Sequence, residues 1–505
     1  MEEVKKISVN KMPKWFKLCM AAFPAFFIIV FISGVDNDFY FLYPTGEYIV
    51  NHGFPVKDFL SMHTDMSIIV QQWLSAVIYY FAYNLLGKVG ALGVVCICYF
   101  ALMILIYRFA MLISSNHLVS CLCATVADFF IASGFMTTRP QIFTYLIIVT
   151  ELILLEKYTR TGKIAWLVPI PFMSVLQINL HAAMWAMLFV FMMPYIAGAI
   201  KLNIPKLGIK QEPCCKLIPI LVTAVITFAA GFLNPYGIKA MLYITTSFGY
   251  DVISDNIQEM IPPSFANDSG KWLIAGLALL AFVTLIYKKR KFTTRFALLF
   301  AGTLALGLMS QKSLAYFHIA GIPAVAYMFS DIDLTLKFTK NTEKKDKRTR
   351  LILISLILII AVAGAAVVAL RGPENLTEED EKHATTYEEL DEVCDILSQH
   401  ENGEIVLYGG FNVGQYLEFK GYHPFIDGRA ELFLKDNNGV EDYLTEYRDF
   451  KTGKTYYKDF IDKYDFNYLV FQTKGEEPVI NMLERDGDFE KVYDGEKIIM
   501  YCREG

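Results

Sequence analysis

VQQWLSAVIYYFAYNLL, residues 70–86, decides how this chain is wound. It is apolar enough to cross a bilayer and amphipathic enough to lie along its surface. The two readings send everything after it to opposite sides. Short loops on the cytoplasmic side of membrane proteins are rich in Lys and Arg. If 70–86 lies at the interface, the N-terminal lysines, EKYTRTGK at 156–163, KKRK at 288–291 and the run Lys337–Arg350 share one side. The other side then holds only Lys57, Lys88, Arg139, Lys239, Lys271 and Lys312 before the C-terminal region. If the segment spans, those three clusters all move opposite the basic N-terminus. The first reading is the orderly one. It places the N-terminus in the cytoplasm, a first outside loop at 35–88 and the C-terminal region outside the cell, as expected of a multi-pass plasma-membrane protein.

Composition gives the same division. Hydrophobic residues make up 54% of the 505 and charged residues 19%, where a soluble domain is about a quarter charged. Residues 371–505 carry 15 Lys+Arg against 32 Asp+Glu, whereas residues 1–370 carry 31 against 19. The first region therefore meets lipid and the second meets water. The fold class read from this is a polytopic α-helical membrane protein over 1–370, with about eleven transmembrane helices. A small α/β extracytoplasmic domain follows over 371–505. Apolar runs fall near 16–34, 89–111, 117–136, 141–156, 164–178, 182–200, 217–234, 271–287, 294–310, 313–330 and 351–370. The first is read as a retained span, since it is long and lacks a small-residue cleavage site. Cys96, Cys98, Cys121, Cys123, Cys214 and Cys215 lie in or beside apolar runs and read as small buried hydrophobes. Cys394 and Cys502 have the compartment for a disulfide, though spacing does not fix one.

With that orientation, functional groups collect at one edge. The outside turns hold DND at 36–38, TTRPQ at 137–141, NLH at 179–181, NPYG at 234–237, a polar stretch at 251–259 and SQKS at 310–313. Ionisable groups at membrane depth are expensive unless partnered, and they mark function by default. Asp36 and Asp38 read either as carboxylates whose pKa rises with burial, and so as bases, or as caps of a helix starting near Phe39. Arg139 suits a phosphate, gripped by two N–H groups, or snorkels to the lipid headgroups. His181 after Asn179 reads as a proton carrier, a ligand or a structural hydrogen-bonding group. Lys312 neutralises an anion or sits at the interface. Gly46 and Gly53 mark turns, and His63 reads as a surface residue. There is no GxxxxGK[ST], no HExxH and no CxxC, which leaves nucleotide-loop and zinc-hydrolase chemistry without a motif.

Together these pieces resemble the GT-C superfamily of integral-membrane glycosyltransferases, and within it a bacterial polyprenyl-phosphate-sugar family with a C-terminal soluble domain. The resemblance rests on Asp36-Asn37-Asp38, the aromatics Phe39–Phe41, Thr45–Ile49, His52–Pro55, Asp58–Ser61 and Trp73-Leu74. It continues through Arg139–Gln141, Asn179–His181, Asn234–Gly237, Gly414–Leu417 and Phe425–Arg429. Leu42 and Gln72 depart from the pattern, which has a His and an acidic residue there; Lys312-Ser313 replaces an Arg-rich turn. The resemblance implies transfer of a hexose or pentose from a polyprenyl-phosphate donor to a glycan, lipid or protein acceptor outside the membrane. It implies Asp36 or Asp38 as base and Arg139 on the departing phosphate, with Lys312 and His181 assisting. Asn179, Asn234 and Tyr236 join them as expected substrate-binding residues. Some relatives use a divalent cation, and no motif here requires one.

In the acidic domain the pattern predicts helices over 387–400, 411–419 and 456–464, strands over 404–408 and 468–471, and a closing hairpin of 489–493 with 497–502. GGFNVG at 409–414 reads as a turn before a short helix. Asp427-Gly428-Arg429 reads as an acceptor contact or as an internal ion pair. The domain's negative charge argues against nucleic acid as a partner. Two other readings stand beside the transferase. One is an inactive scaffold of the same architecture, motivated by Leu42 and Gln72. The other is a lipid or solute transporter, which the lack of an internal repeat and the edge placement of the polar groups disfavour.

Overall fold

The computed structural model describes residues 5–8, 14–26, 34–204, 209–246, 253, 258–287, 291, 293–332, 335–338, 378–399 and 405–503. The span expected at 351–370, the 370/371 boundary and residues 27–33 of the first span lie outside them. The membrane region is built from α1 (Lys14–Ala22), α2 (Phe39–His52), α3 (Trp73–Leu86), α4 (Lys88–Ser114), α5 (His117–Gly134) and α6 (Gln141–Thr161). It continues with α7 (Pro169–Leu180), α8 (Met187–Gly198), α9 (Leu217–Ala230), α10 (Asp268–Ile286), α11 (Thr294–Met309) and α12 (Leu314–Met328, with a π turn at Phe317–Gly321). Among the described residues, α4, α5 and α10 are each long and apolar enough to cross a membrane. The shorter apolar helices include α3, α7, α8, α9, α11 and α12. Large apolar side chains point outward along them, such as Ile97, Val225, Phe282 and Leu285, each more than half exposed. In water such a belt would be a liability; against lipid tails it is the solvent face.

The deciding segment forms α3, 14 residues long. At about 1.5 Å per residue it reaches roughly 21 Å, short of the ~30 Å hydrocarbon core. It packs lengthwise on α2. The contact is close because Gly46 lies inside α2, where a Cβ would stand 2.3 Å from the Ala76 carbonyl oxygen. Gly46 is thus a packing glycine and not the turn expected from sequence. Gly53 does end α2, at φ 85°, where a residue without Cβ carries no steric cost. Asn116 starts α5 by accepting from the Leu118 and Val119 amides, the usual cap arrangement.

The C-terminal region is a four-stranded sheet with helices around it. The strands are β1 (Leu407–Gly409), β2 (Tyr468–Gln472), β3 (Phe489–Asp494) and β4 (Ile498–Arg503), in the order β1-β2-β4-β3. β1 and β2 run parallel and the other neighbours antiparallel. The helices are α13 (Glu378–Leu397), α14 (Phe411–Phe419), α15 (Tyr443–Lys451), α16 (Tyr457–Tyr464) and α17 (Glu477–Asp486). β2 is buried along almost its whole length, as a central strand must be. The sequence pattern anticipates α13, α14, α16 and all four strands to within a few residues at most boundaries, apart from α13's earlier start. It omits α15 and α17. GGFNVG is the turn into α14, with Gly410 at its cap.

This domain sits on α2 and the residues that follow it. α14 packs on α2, with the Phe419 ring 5.3 Å from Tyr40 and 5.2 Å from Tyr43. The backbone joins as well: the Met62 amide donates to Pro424 O at 3.1 Å and the Ser67 amide to Asn438 O at 3.1 Å. His63 is buried here, its ring stacked 3.7 Å from Tyr443. The surface position expected for it is corrected by a domain contact that no local pattern encodes. Cys394 and Cys502 are both free thiols.

Candidate active site at the outer rim

Residues 34–38 enter α2 as a tight turn. The Asp38 amide donates to Asp36 Oδ1 at 3.0 Å, the Phe39 amide to the Asp36 carbonyl at 3.0 Å, and the Asp36 amide to Thr138 Oγ1 at 2.9 Å. Asp38 occupies the cap position of α2, but its side chain makes no capping bond. That carboxylate is therefore available for other work. Asn37, between the two aspartates, is held from the soluble domain: Tyr387 Oη donates to its Oδ1 at 3.2 Å and its Nδ2 donates to Asn412 O at 3.3 Å.

Both aspartates face Arg139, which stands in the 137–140 turn before α6. Its Nε lies 2.7 Å from Asp36 Oδ1 and 3.2 Å from Asp38 Oδ2. Its Nη1 donates to both oxygens of Glu259, at 2.7 and 2.8 Å. Tyr79 of α3 donates to the Arg139 carbonyl at 3.4 Å, so α3 supports the turn. Burial pushes the Asp38 carboxyl up to about 6; Arg139 pulls it down, Asp36 pushes it up, Lys312 pulls it down and Glu259 pushes it up. A carboxyl titrating there is a competent base near neutral pH.

Arg139 also opens onto a cavity of about 1080 Å³. The walls are apolar, with Val126 and Phe130 of α5, Trp272 and Leu280 of α10, Phe300 of α11 and Phe317 of α12. Polar groups gather where Arg139, Glu259, Gln311 and Lys312 line it. The Lys312 amide donates to the Glu259 carbonyl at 2.9 Å, which ties the two turns together. This is an apolar cavity with a charged end.

The structure thus brings Asp36, Asp38, Arg139 and Lys312 into one neighbourhood. His181 is buried nearby, its Nδ1 2.9 Å from Thr144 Oγ1. Asn179 is a brace: it donates to Val175 O and Leu233 O and accepts from Trp73 Nε1 at 2.7 Å. Asn234 closes its own turn by donating to Gly231 O and Gly237 O and accepting from the Tyr236 amide. Tyr236 Oη donates to Pro55 O. Leu42 is fully buried in the core of α2 and its neighbours, and Gln72 accepts from Gln71.

Asp427 and Arg429 lie in a second cluster. Arg429 donates from Nε to Asp427 Oδ1 at 2.9 Å and from Nη1 to Asp58 Oδ1 at 2.7 Å, with Glu418 Oε1 3.4 Å from Nη2. Asp58 in turn accepts from the amide and hydroxyl of Ser61. Burial alone would raise the Asp58 carboxyl, yet the Arg429 guanidinium and the Ser61 bonds hold it below the usual range. Burial, reinforced by Asp427, pushes Glu418 well above it.

Glu259 is the site residue that sequence reading did not single out. It ends the polar 251–259 stretch, immediately before Met260, Ile261 and two prolines, and that boundary was its one local signal. The carboxylates of Asp36, Asp38 and Glu259 converge on the Arg139 guanidinium, which takes the central position a cation would need. No group of three or more His, Cys, Asp or Glu side chains is placed to hold a metal among the described residues.

No family model and no curated protein sequence matches this chain. Solved structures do. The archaeal oligosaccharyltransferase AglB from Archaeoglobus fulgidus, in complex with an inhibitory peptide and a dolichol-phosphate, is 12% identical. That match has a TM-score of 0.51 over 97% of this chain and 74% of that one. The Archaeoglobus fulgidus enzyme tethered to an acceptor peptide gives 0.52 at the same identity and coverages. ArnT from Cupriavidus metallidurans, bound to undecaprenyl phosphate, gives 0.49 at 12% identity over 96% of this chain and 97% of that one. At such identities the likeness to the oligosaccharyltransferase is one of fold alone.

Proposed function

We propose that this chain is a membrane glycosyltransferase. It moves a sugar from a polyprenyl-phosphate donor to an acceptor hydroxyl at the extracytoplasmic face, with Asp38 as base. The observation that carries the reading is the double role of Arg139, which lines the apolar cavity and holds the two aspartates. An oligosaccharyltransferase of the same fold was solved with a dolichol-phosphate, which supports a lipid phosphate as the cavity's ligand. The isoprenoid tail lies among the apolar walls. The phosphate takes the place of the Glu259 carboxylate on Arg139, with Lys312 beside it.

Asp38 then removes the acceptor proton as the acceptor oxygen bonds to the anomeric carbon. The bond from that carbon to the phosphate oxygen breaks, and its electron pair leaves with the lipid phosphate. Arg139 and Lys312 stabilise that charge where fixed cations in a dry site act most strongly. Asp36 positions Arg139 and the turn rather than taking the proton. The N-terminus is cytoplasmic and the soluble domain outside, consistent with a plasma-membrane enzyme whose acceptor is a glycan, lipid or protein.

The test is sugar transfer by the purified chain from a panel of radiolabelled polyprenyl-phosphate sugars. Asp38→Asn is expected to lose about 10²–10⁴-fold, and Asp36→Asn less. Donor turnover undiminished in Asp38→Asn would remove the base assignment. No turnover with any donor, alongside an active relative, would favour the inactive scaffold.

A further inference from the structure

Far from the outer rim, the chain leaves the hairpin of Leu202–Ile204 with Ile209–Gln211 and turns through Glu212–Lys216 into α9. Two adjacent cysteines sit in this turn, on the side where the basic loops collect. Their sulfurs are 3.8 Å apart and both residues are partly exposed. The buried apolar role expected from sequence does not hold for them, nor for Cys96, Cys98, Cys121 and Cys123, which are also partly exposed. The surroundings fix the pair from three directions. The Cys214 amide donates to Gly198 O at 3.1 Å at the end of α8. The Thr159 hydroxyl of α6 lies 3.9 Å from Cys215 Sγ. Arg295 of α11 comes in beside Gly198, where a Cβ would stand 3.1 Å from Cys214 Sγ and 3.5 Å from Arg295 Cβ. That guanidinium is anchored on Glu156, at 3.1 Å from Nε and 3.0 Å from Nη2.

Two thiols in contact, with a fixed cation alongside, make a nucleophilic pair. The contact with the Cys215 thiol lowers the pKa of Cys214 to about 7 against the effect of burial, and Arg295 acts in the same direction. Cys215 is raised correspondingly by the same contact. The pair therefore holds one readily ionised sulfur and one that keeps its proton.

Donor count selects the ligand. A tetrahedral zinc site wants four protein donors, or three and an open position, and the described residues offer no group of three. A trivalent arsenical bearing one carbon substituent is satisfied by two sulfurs. We propose that Cys214 and Cys215 are a vicinal dithiol site for a trivalent thiophile of the type R–As=O, bound through both sulfurs. Each sulfur forms one bond to arsenic, the arsenic–oxygen bonds break, and the oxygen leaves as water with the two thiol protons. Arsenic stays trivalent, so no oxidant or reductant takes part.

The experiment treats the full-length chain, kept reduced with a phosphine, with phenylarsine oxide and reads the intact mass. One phenylarsenic adduct per chain is expected, removable by ethanedithiol. Cys214→Ser and Cys215→Ser each lose it, while the Cys96→Ser/Cys98→Ser and Cys121→Ser/Cys123→Ser variants keep it. An adduct that survives in either single variant overturns the proposal. So does its absence from a wild-type chain whose Cys214 and Cys215 both alkylate with iodoacetamide. A wild-type peptide map guards against misfolded variants: the arsenical must protect both Cys214 and Cys215 from alkylation, and protection of any other pair instead refutes the site.

Discussion

The molecule contains two arginines ringed by three carboxylates, and they differ in what surrounds the ring. Arg429 meets Asp58, Glu418 and Asp427, all three with side chains at 0% exposure. Arg139 meets Asp36, Asp38 and Glu259, which are 16%, 28% and 45% exposed, and it lines a cavity. The ion chemistry is the same. A sealed ring has no room to exchange partners and joins two parts of the chain; an open one can trade a carboxylate for a ligand anion. The first joins the C-terminal region to the segment that follows α2. The second is the candidate active site.

The sharpest way to break this contrast is to remove each arginine. Arg429→Met strands buried carboxylates and is expected to destabilise the chain by about 3–5 kcal/mol. Thermal unfolding in detergent, together with protease release of the 405–503 region, measures it. Adding Asp58→Asn removes one of the stranded charges and restores part of the loss. A change below about 1 kcal/mol would mean that the ring does not join the domains.

Arg139→Gln belongs to the open ring, where water can solvate the aspartates left behind. Stability is expected to move by no more than about 1 kcal/mol, while transfer falls about 10²–10³-fold through kcat. Equal losses of stability in the two arginine variants would erase the distinction between the rings.

Much of the open ring was legible in sequence, and little of the sealed one. Asp36, Asp38, Arg139 and Lys312 each sit in a short turn between apolar runs, so orientation alone gathers them at one rim. Glu259 has a weak signal because it is one of several acidic and amide side chains in the 251–259 stretch. Asp427-Gly428-Arg429 does suggest an internal pair, and that pair exists. Its third member, Asp58, lies 371 positions from Arg429, and no local pattern carries a contact of that length. His63 was misread for the same reason: its burial comes from Tyr443, on the far domain. Asn179 and Asn234 are polar residues at the correct rim, but their side chains are engaged in bracing helices and turns.

A finer probe of the open ring is its titration. The proposed base must be ionised, so the transfer rate should rise with pH up to about 6 and then level off. Asp36 pushes the Asp38 carboxyl up, and Asp36→Asn should move this limb to lower pH. Lys312 pulls it down, and Lys312→Met should move the limb to higher pH. The rate profiles of the two variants under saturating donor measure both displacements. Shifts of the same sign would show that the limb belongs to another group.

The smallest expected effect bears most directly on why one ring is open. In the structure both oxygens of the Glu259 carboxylate accept from Arg139 Nη1, the place assigned to the donor phosphate. Glu259 is 45% exposed, so its hold on Arg139 is that of a surface pair, worth about 0.2–1 kcal/mol. A phosphate, with more charge and more acceptor oxygens, outcompetes it. Glu259→Gln weakens the competitor without touching the phosphate's partners, and KM for the donor should fall by no more than about fivefold. The base gains slightly too, since Glu259 raises the Asp38 carboxyl and its removal lets Asp38 ionise at lower pH. If Glu259 instead binds the acceptor, Glu259→Gln raises the acceptor KM and leaves the donor KM alone. Steady-state kinetics with each substrate varied in turn separates a stand-in for the phosphate from a contact to the acceptor.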